Sequence, residues 1–96
     1  MVVSFADVTT ADIYHGEDTK AARRVPKDIW PVAQRKLDML NTARTLNDFR
    51  SPPGNRLERH RKSLAGLYSI RINDQWRIIF RFEDGNAFDV RIADYH

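Results

Sequence analysis

Cysteine is absent from the 96-residue chain. Its absence excludes a disulfide-stapled secreted scaffold and a zinc site built from four thiolates. The three histidines, at positions 15, 60 and 96, do not have the spacing of metal ligands, so the sequence predicts neither a metal nor another cofactor. The stability of what is expected to be one domain, residues 1–96, must therefore come from a packed core.

Long apolar runs are missing as well. No stretch approaches the length of a membrane span or of the apolar core of a signal peptide, and we therefore predict a soluble, cytoplasmic protein with no membrane partner. A glycine-rich phosphate loop, a serine nucleophile elbow and a pair of metal-binding carboxylates are also absent. These absences exclude the enzyme classes that depend on those motifs.

Positive charge is abundant but unevenly distributed. The chain has a net charge of +3, yet residues 50–81 contain eight Lys and Arg against two acidic residues, a net +6, whereas residues 82–96 are net −3. Seven of those eight cations are arginines, whose guanidinium binds phosphate through a bidentate fork. A positive field focused in this way predicts a surface that binds a polyanion, with a merely solvated charged surface as the alternative.

The clearest secondary-structure signal is a β-hairpin within residues 66–82. Apolar and polar residues alternate on both sides of Asn73-Asp74-Gln75, a sequence typical of a tight turn. The apolar face, which we expect to lie under a helix, is formed by Tyr68, Ile70, Ile72, Trp76, Ile78, Phe80 and Phe82. The opposite face carries Arg71, Arg77 and Arg81 without an acid and is expected to be open. Because alternation places Arg77 off the core, its replacement is expected to leave folding intact.

Two helices are predicted upstream of the hairpin. Thr9 or Thr10 is expected to cap a short helix that ends before Gly16. Asp28 is expected to cap a longer amphipathic helix that runs to about Thr42. That helix has Pro31 in its first turn and an apolar stripe of Ile29, Ala33, Leu37 and Leu40, with Arg35, Lys36 and Asp38 expected to face solvent.

Two further strands and one loop complete the predicted fold. Residues 2–5 are expected to form a short N-terminal strand, and residues 87–93 a third strand of an antiparallel meander. On that third strand the residues expected to face inward are Phe88, Val90 and Ile92. Residues 55–65 are expected to form a basic loop or an irregular edge segment. The order of elements predicts an α+β fold, in which an N-terminal strand and helices pack on a small antiparallel sheet.

The titratable residues suit metal-independent chemistry on RNA. Cleavage through the 2′-hydroxyl needs a base near that hydroxyl, cations on the phosphorane oxygens and an acid for the 5′-oxygen. Arginine can stabilise the phosphorane, and a histidine or a carboxylate can move the protons. The candidates for proton transfer are Glu58, His60, Asp94, Tyr95 and His96, of which Tyr95 could instead stack on a base.

Several short motifs, which follow one another along the chain, resemble the HigB toxins of the RelE/ParE superfamily. They are Ser-Pro-Pro-Gly-Asn-Arg-Leu-Glu at 51–58, Asp-Gln-Trp-Arg at 74–77 and Asp-Tyr-His at 94–96, together with the hairpin pattern. The resemblance covers residues 26–96 and implies a RelE-like, microbial ribonuclease-like fold. It also implies a type II toxin that cleaves mRNA in the ribosomal A site, and a HigA-type helix-turn-helix antitoxin through which alone the toxin would contact operator DNA.

The same resemblance implies roles for individual residues. Arg77 matches the arginine that the family places at the scissile phosphate, and Asp94-Tyr95-His96 matches its terminal trio. Glu58 aligns where some members carry a histidine, and His60 lies two residues away. The residues expected to bind RNA are Arg56, Arg61, Lys62, Arg71, Asn73 and Arg81. Of these, Arg61 or Lys62 falls where the family has a phosphate-binding basic residue, and Asn73 stands where some members carry an arginine.

Two other functions are consistent with the same charge distribution. One is a gyrase-poisoning toxin of the ParE type, which needs no catalytic residues. The other is a non-catalytic module that binds RNA or the ribosome. The proton-carrying C-terminus argues against the gyrase poison, and a comparison of transcript ends with DNA-damage signalling would separate the hypotheses.

Overall fold

The computed structural model describes residues 1–60 and 66–94. The helices are α1, Val8–Tyr14, and α2, Trp30–Thr42, and the strands are β1, Glu58–Arg59, β2, Leu67–Arg71, β3, Trp76–Glu83, and β4, Asn86–Asp94. Short 3₁₀ turns lie at Ala22–Arg24, Lys27–Ile29, Leu46–Arg50 and Pro53–Asn55. The strands form one antiparallel sheet in the order β1-β2-β3-β4, and the predicted α+β architecture is confirmed.

The predicted hairpin lies at the centre of this sheet. Every residue of β2 pairs with β3. The turn between them is held by Asn73, whose Oδ1 accepts hydrogen bonds from the backbone N–H groups of Gln75 and Trp76, both at 2.8 Å. Short Asn side chains stabilise turns in this way, so the predicted turn is confirmed.

The core lies between the sheet and the helices. α2 contributes Ala33, Leu37 and Leu40, all fully buried, as the predicted stripe requires, whereas Ile29 is only half-buried. Phe49, from the 3₁₀ turn Leu46–Arg50, packs edge-to-face on two rings of β3, with ring centroids 5.2 and 5.3 Å apart. Such aromatic contacts add to the burial of apolar area that drives this layer onto the sheet.

The longer helix differs from the prediction at its start and on one side. Asp28 is not its N-cap, because a 3₁₀ turn, Lys27–Ile29, precedes the helix and places Ile29 at the cap. Pro31 does lie in the first turn, and the helix does end at Thr42. Lys36, predicted to face solvent, is only 7% exposed. It lies three residues after Ala33, and residues three apart share a helix face.

The shorter helix also begins earlier than predicted. Its N-cap is Asp7, whose Oδ1 accepts a hydrogen bond from the N–H of Thr10 at 2.8 Å. Neither predicted threonine caps the helix, because both are buried. The Thr9 hydroxyl donates to the carbonyl of Ala21, and the Thr10 hydroxyl accepts a hydrogen bond from the N–H of Ile92. Gly16, with φ +73°, ends the helix as predicted, in the left-handed conformation that glycine adopts without strain.

A β-bulge changes the orientation of residues at the start of β4. The pairing shifts between Ile79 and Arg81, and Asp89 has a φ of +52°. The extra residue places Ala87 and Val90 in the core and turns Phe88 to the opposite face, under the guanidinium of Arg81. The prediction that Phe88 faces inward is therefore wrong, whereas Val90 and Ile92 do face inward.

The two outer segments of the sheet are shorter than regular strands. Val2 and Phe5 form isolated parallel bridges to Ala87 and Val90 of β4, in place of the predicted N-terminal strand. At the opposite edge, β1 pairs with β2 through two residues, which makes the sheet four-stranded where a three-stranded meander was predicted. In the described part of the chain, neither helix combines the length and the apolarity that crossing a bilayer requires.

Candidate active site

Arg77 is the most buried charged residue on the face of the sheet that points away from the helices, with 5% of its surface exposed. Its Nε donates a hydrogen bond to Ser69 Oγ at 2.9 Å. Its Nη2 donates to the carbonyl of Arg56 at 2.6 Å and to that of Ser69 at 3.2 Å. These contacts to two separate segments fix the plane of the guanidinium.

Ser69 connects this guanidinium to a histidine. The side chain of Ser69 is fully buried in β2, and its Oγ lies 3.1 Å from Nε2 of His60. His60 is also held by its backbone, since its N–H donates to the carbonyl of Leu67 at 2.9 Å. The hydroxyl can donate to one neighbour while it accepts from the other, so Arg77, Ser69 and His60 form a continuous polar network.

Glu58 completes this cluster. It lies directly opposite Ser69 in the pairing of β1 with β2, and its Oε1 is 3.9 Å from Nη1 of Arg77. The side chain of Glu58 is 49% exposed, whereas that of Arg77 is 6% exposed. A carboxylate at the rim of a buried guanidinium is accessible to a substrate and can accept a proton from it. We call Glu58, His60, Ser69 and Arg77 the polar cluster.

A second buried cation lies beside the cluster. The ammonium of Lys36 donates to Oδ1 of Asn55 at 2.8 Å and to the carbonyl of Arg71 at 2.6 Å. Burial lowers the pKa of Lys36 from its usual 10.5, and the positive charges of Arg35, Arg71 and Arg77 lower it further. Lys36 therefore lies in a positive local field to which Arg77 of the polar cluster contributes.

The structure brings some of the predicted RNA-binding residues close to Arg77. Arg71 is its cross-strand partner, and the Arg71 guanidinium forms an ion pair with Asp74 in the turn. Arg56 approaches Arg77 through its carbonyl, while its own side chain is exposed. Asn73 has a structural role, because its side-chain oxygen holds the turn.

Arg81 lies apart from the cluster. It is four residues from Arg77 along β3, about 13 Å at the rise of an extended strand. Its guanidinium lies 3.5 Å from Glu83 and 3.8 Å from Asp89 and stacks over the ring of Phe88 at 4.7 Å. The face that was expected to be open and free of acid thus contains carboxylates from neighbouring segments.

The C-terminal candidates are described only in part. Asp94 ends β4 opposite Trp76, the residue before Arg77, and its Oδ2 accepts a hydrogen bond from Gln75 at 3.0 Å. Tyr95 and His96, like Arg61 and Lys62, lie outside the described residues. In residues 1–60 and 66–94, no three His, Asp or Glu side chains are grouped in a way that could hold a metal ion.

Sequence reasoning did not identify Ser69, Lys36 or Asn55 as parts of this site. Ser69 alternates onto the same face as Arg71, but Arg77 and His60 cover it. The contact with Arg77 depends on the pairing of β2 with β3, and the contact with His60 depends on the pairing of β1 with β2. The burial of Lys36 could have been predicted from its position three residues after Ala33 on the helix. The burial of Asn55 could not have been predicted, since it depends on how the proline-rich loop at residues 51–54 packs against the helix.

Three comparisons place this geometry among known proteins. The family model described as "RelE-like toxin of type II toxin-antitoxin system HigB" matches residues 3–96. Toxin HigB-1 of Vibrio cholerae serotype O1 is 40% identical over 89 residues, which cover 93% of this chain and 92% of that protein. An uncharacterized protein of Haemophilus influenzae is 38% identical over 83 residues, or 86% of this chain and 80% of its own length.

The solved structures of similar fold include a YoeB–YefM complex from Staphylococcus aureus. The match has a TM-score of 0.61 at 17% identity and covers 100% of this chain and 98% of the matched chain. A second structure, titled as a heterotetrameric YoeB–YefM toxin–antitoxin complex from the same organism, matches equally well. At this identity the likeness concerns the fold alone, and it confirms the predicted RelE-like fold.

Proposed function

Because this chain belongs to the HigB-like toxins of the RelE family, we propose that its toxic activity is the endonucleolytic cleavage of mRNA in the ribosomal A site. The observation that carries the proposal is the polar cluster, in which the rim carboxylate of Glu58 lies 3.9 Å from the buried guanidinium of Arg77, and Ser69 connects that guanidinium to the imidazole of His60. Cleavage through a 2′-hydroxyl requires a base and a cation for the phosphorane oxygens, which the carboxylate and the guanidinium can supply.

The proposed reaction assigns the base to Glu58, the stabilising cation to Arg77 and the acid to His96. Glu58 accepts the proton of the 2′-hydroxyl as the 2′-oxygen attacks the phosphorus. Arg77 stabilises the charge that develops on the phosphorane oxygens, and its contacts to Ser69 and Arg56 hold it in place before the substrate arrives. The bond from phosphorus to the 5′-oxygen then breaks, and His96 supplies the proton to that oxygen.

The proposed partners follow from the same assignment. We propose that a HigA-type helix-turn-helix antitoxin neutralises this toxin and that the toxin contacts operator DNA only through that antitoxin. Ribosomes and mRNA are the proposed targets, and the cytoplasm is the proposed location. The family assignment supports an antitoxin partner, and so does the occurrence of the same fold in a YoeB–YefM toxin–antitoxin complex.

Induction of the chain in cells tests the proposed function. We expect growth arrest with the toxin alone, normal growth with the neighbouring antitoxin gene, and new transcript 5′ ends within codons when RNA ends are mapped. The Arg77→Ala variant should lose these ends, whereas Arg35→Ala, which removes an exposed charge from α2, should keep them. DNA-damage signalling without new transcript ends would instead identify a gyrase poison and contradict the proposal.

Deletion of His96 tests the proposed acid. We expect the single-turnover rate on programmed ribosomes to fall by about 10²-fold, within the usual range for one acid–base group. The substitution His96→Ala should have the same effect, while the melting temperature of either variant should stay close to that of the wild-type chain. Wild-type cleavage by the truncated chain would remove His96 from the mechanism.

A further inference from the structure

Lys36 is a charged residue in a place where charge is unfavourable. It lies in the middle of α2 with 7% of its surface exposed. A buried ammonium needs hydrogen-bond acceptors to offset its lost hydration. Two acceptors are present: Oδ1 of Asn55, at 2.8 Å, and the backbone carbonyl of Arg71, at 2.6 Å. Neither belongs to α2, so the ammonium connects the helix to two separate segments.

The first of these segments leads directly to Arg77. Asn55 is fully buried, and its Nδ2 donates to the carbonyl of Phe49 at 3.2 Å and to Sδ of Met39 at 3.1 Å. The next residue, Arg56, adopts a left-handed conformation with φ +44°. That conformation is uncommon for a residue other than glycine. The carbonyl of Arg56 is the one that accepts the 2.6 Å hydrogen bond from Arg77. Asn55 thus connects the Lys36 ammonium to the segment that fixes the guanidinium.

The second segment is β2, the strand whose Ser69 accepts two hydrogen bonds from the same guanidinium. Arg71 is the cross-strand partner of Arg77 at the end of β2. Its carbonyl accepts from Lys36, so the ammonium holds that end of β2 as well as the loop before β1. The two segments that accept hydrogen bonds from the Arg77 guanidinium, β2 and the loop before β1, are therefore both bonded to one Nζ atom.

A role in stability alone would not require the charge. Desolvation and the neighbouring positive charges of Arg35, Arg71 and Arg77 all oppose the ammonium, and both effects lower its pKa. Replacing the ammonium with an apolar group removes its desolvation cost but also leaves two buried acceptors without this donor, so the two effects on stability oppose each other. What an apolar group would not supply is the pair of directed hydrogen bonds to Asn55 and Arg71.

We propose that Lys36 is a positioning residue for RNA cleavage: its ammonium holds Asn55 and the Arg71 carbonyl so that the carbonyl of Arg56 orients the Arg77 guanidinium toward the phosphate. The inference rests on the proposed function, since the reaction that benefits is the proposed cleavage. It adds a residue that touches neither the substrate nor the reacting atoms.

The absence of cysteine from the chain permits a direct test. In the Lys36→Cys variant the new thiol is the only one, and it can be alkylated in the unfolded chain before refolding. 2-Bromoethylamine then produces a side chain with the length and charge of lysine, whereas 1-iodopropane produces one of the same length without charge. Wild-type protein carried through both treatments is the control for refolding and for modification at other sites.

The readout is single-turnover cleavage on programmed ribosomes as a function of ribosome concentration. We expect the aminoethyl protein to cleave within about threefold of wild type. The propyl protein should lose roughly 10- to 100-fold in maximal rate, the scale for misplacing a catalytic group, with little change in half-saturating concentration and only a small change in melting temperature, because the relieved desolvation opposes the loss of the two hydrogen bonds. Equal rates for the two alkylated proteins would overturn the inference, because the charge would then have no effect.

A second readout does not depend on RNA. The Nε–H of Arg77, bonded to Ser69 Oγ, should give a slowly exchanging signal in ¹H–¹⁵N spectra of the wild-type and aminoethyl proteins and a shifted or broadened one in the propyl protein. If wild type does not cleave, the proposed function fails while this signal still tests Lys36. An unchanged signal in the propyl protein would contradict the positioning role.

The Lys36→Met variant, made without chemical treatment, covers the case of poor refolding. It should resemble the propyl protein in cleavage and melt close to wild type. A marked fall in melting temperature for both uncharged proteins would show that the ammonium holds the fold rather than the guanidinium, and would overturn the inference.

Discussion

Replacement of Arg77 by alanine is expected to lower single-turnover cleavage on programmed ribosomes by roughly 10²- to 10³-fold, the range for losing one key electrostatic donor. The reason is that Arg77 is fixed in advance by Ser69 and Arg56, so its charge acts on the phosphorane without reorganisation. An unchanged rate in a folded variant would remove Arg77 from the chemistry.

The same substitution should also lower stability, contrary to the expectation from alternation alone. Arg77 does lie off the core face, but it is 5% exposed, and its loss leaves Ser69 Oγ and the carbonyls of Ser69 and Arg56 without their donor. Removing one partner of a buried hydrogen bond costs about 1–3 kcal/mol. Chemical denaturation followed by circular dichroism measures this loss independently of cleavage.

Ser69→Ala is the matched variant that separates the two effects. It removes the hydroxyl bonded to Arg77 and His60 but keeps the guanidinium and its bond to Arg56. We expect a comparable loss of stability with a fall in cleavage of no more than about tenfold, equivalent to ~1.4 kcal/mol. Equal losses of cleavage in the two variants would mean that Arg77 acts through the packing of the sheet.

Local patterns predicted those parts of the fold that local interactions determine. The hairpin followed from alternation and from a turn sequence in which Asn73 bonds to the next residues of its own chain. The burial of Ala33, Leu37 and Leu40 followed from helical spacing. The ends of the elements were less predictable. The N-cap of α1, for example, is the residue that remains at the surface once the helix packs against β4, and that residue is Asp7 rather than a threonine.

The wrong predictions concern interactions between distant segments. Phe88 alternates correctly with its neighbours in the sequence, and only the pairing with β3 introduces the bulge at Asp89 that reverses its direction. The two residues of β1 are too few to produce a periodic signal. Their pairing nevertheless places Glu58 opposite Ser69 and so creates the polar cluster.

Two charged residues of the candidate site could be predicted from the sequence, but the buried polar residues that hold them in place could not. Charge density and motif resemblance both indicated Arg77, and motif resemblance indicated Glu58. Both signals depend only on the order of residues along the chain, so they can be detected without the fold. Ser69 acquires its role only when its two neighbouring strands bring Arg77 and His60 to it, and Lys36 acquires its role only when the loop that contains Asn55 packs against α2. Polar residues that support a site by burial have no distinctive local pattern.

The proposed base can be identified by comparing two variants of the polar cluster. Glu58→Gln keeps the size of the side chain and an oxygen near Arg77 but removes the capacity to accept a proton. We expect it to lower the single-turnover rate by roughly 10³-fold, within the range for a general base. The reason for assigning the base to Glu58 is geometric: its carboxylate lies 3.9 Å from the guanidinium and is half exposed, so a 2′-hydroxyl bound to Arg77 is within its reach.

His60→Ala is the matched control, because His60 is the other proton carrier in the cluster. Its Nε2 contacts Ser69 Oγ, a buried group behind Arg77, and a residue in that position supports the guanidinium without meeting the 2′-hydroxyl. We therefore expect His60→Ala to lower the single-turnover rate by no more than about tenfold, far less than Glu58→Gln. The reverse ranking of the two variants would assign the base to His60 and leave Glu58 as the partner that holds the charge of Arg77.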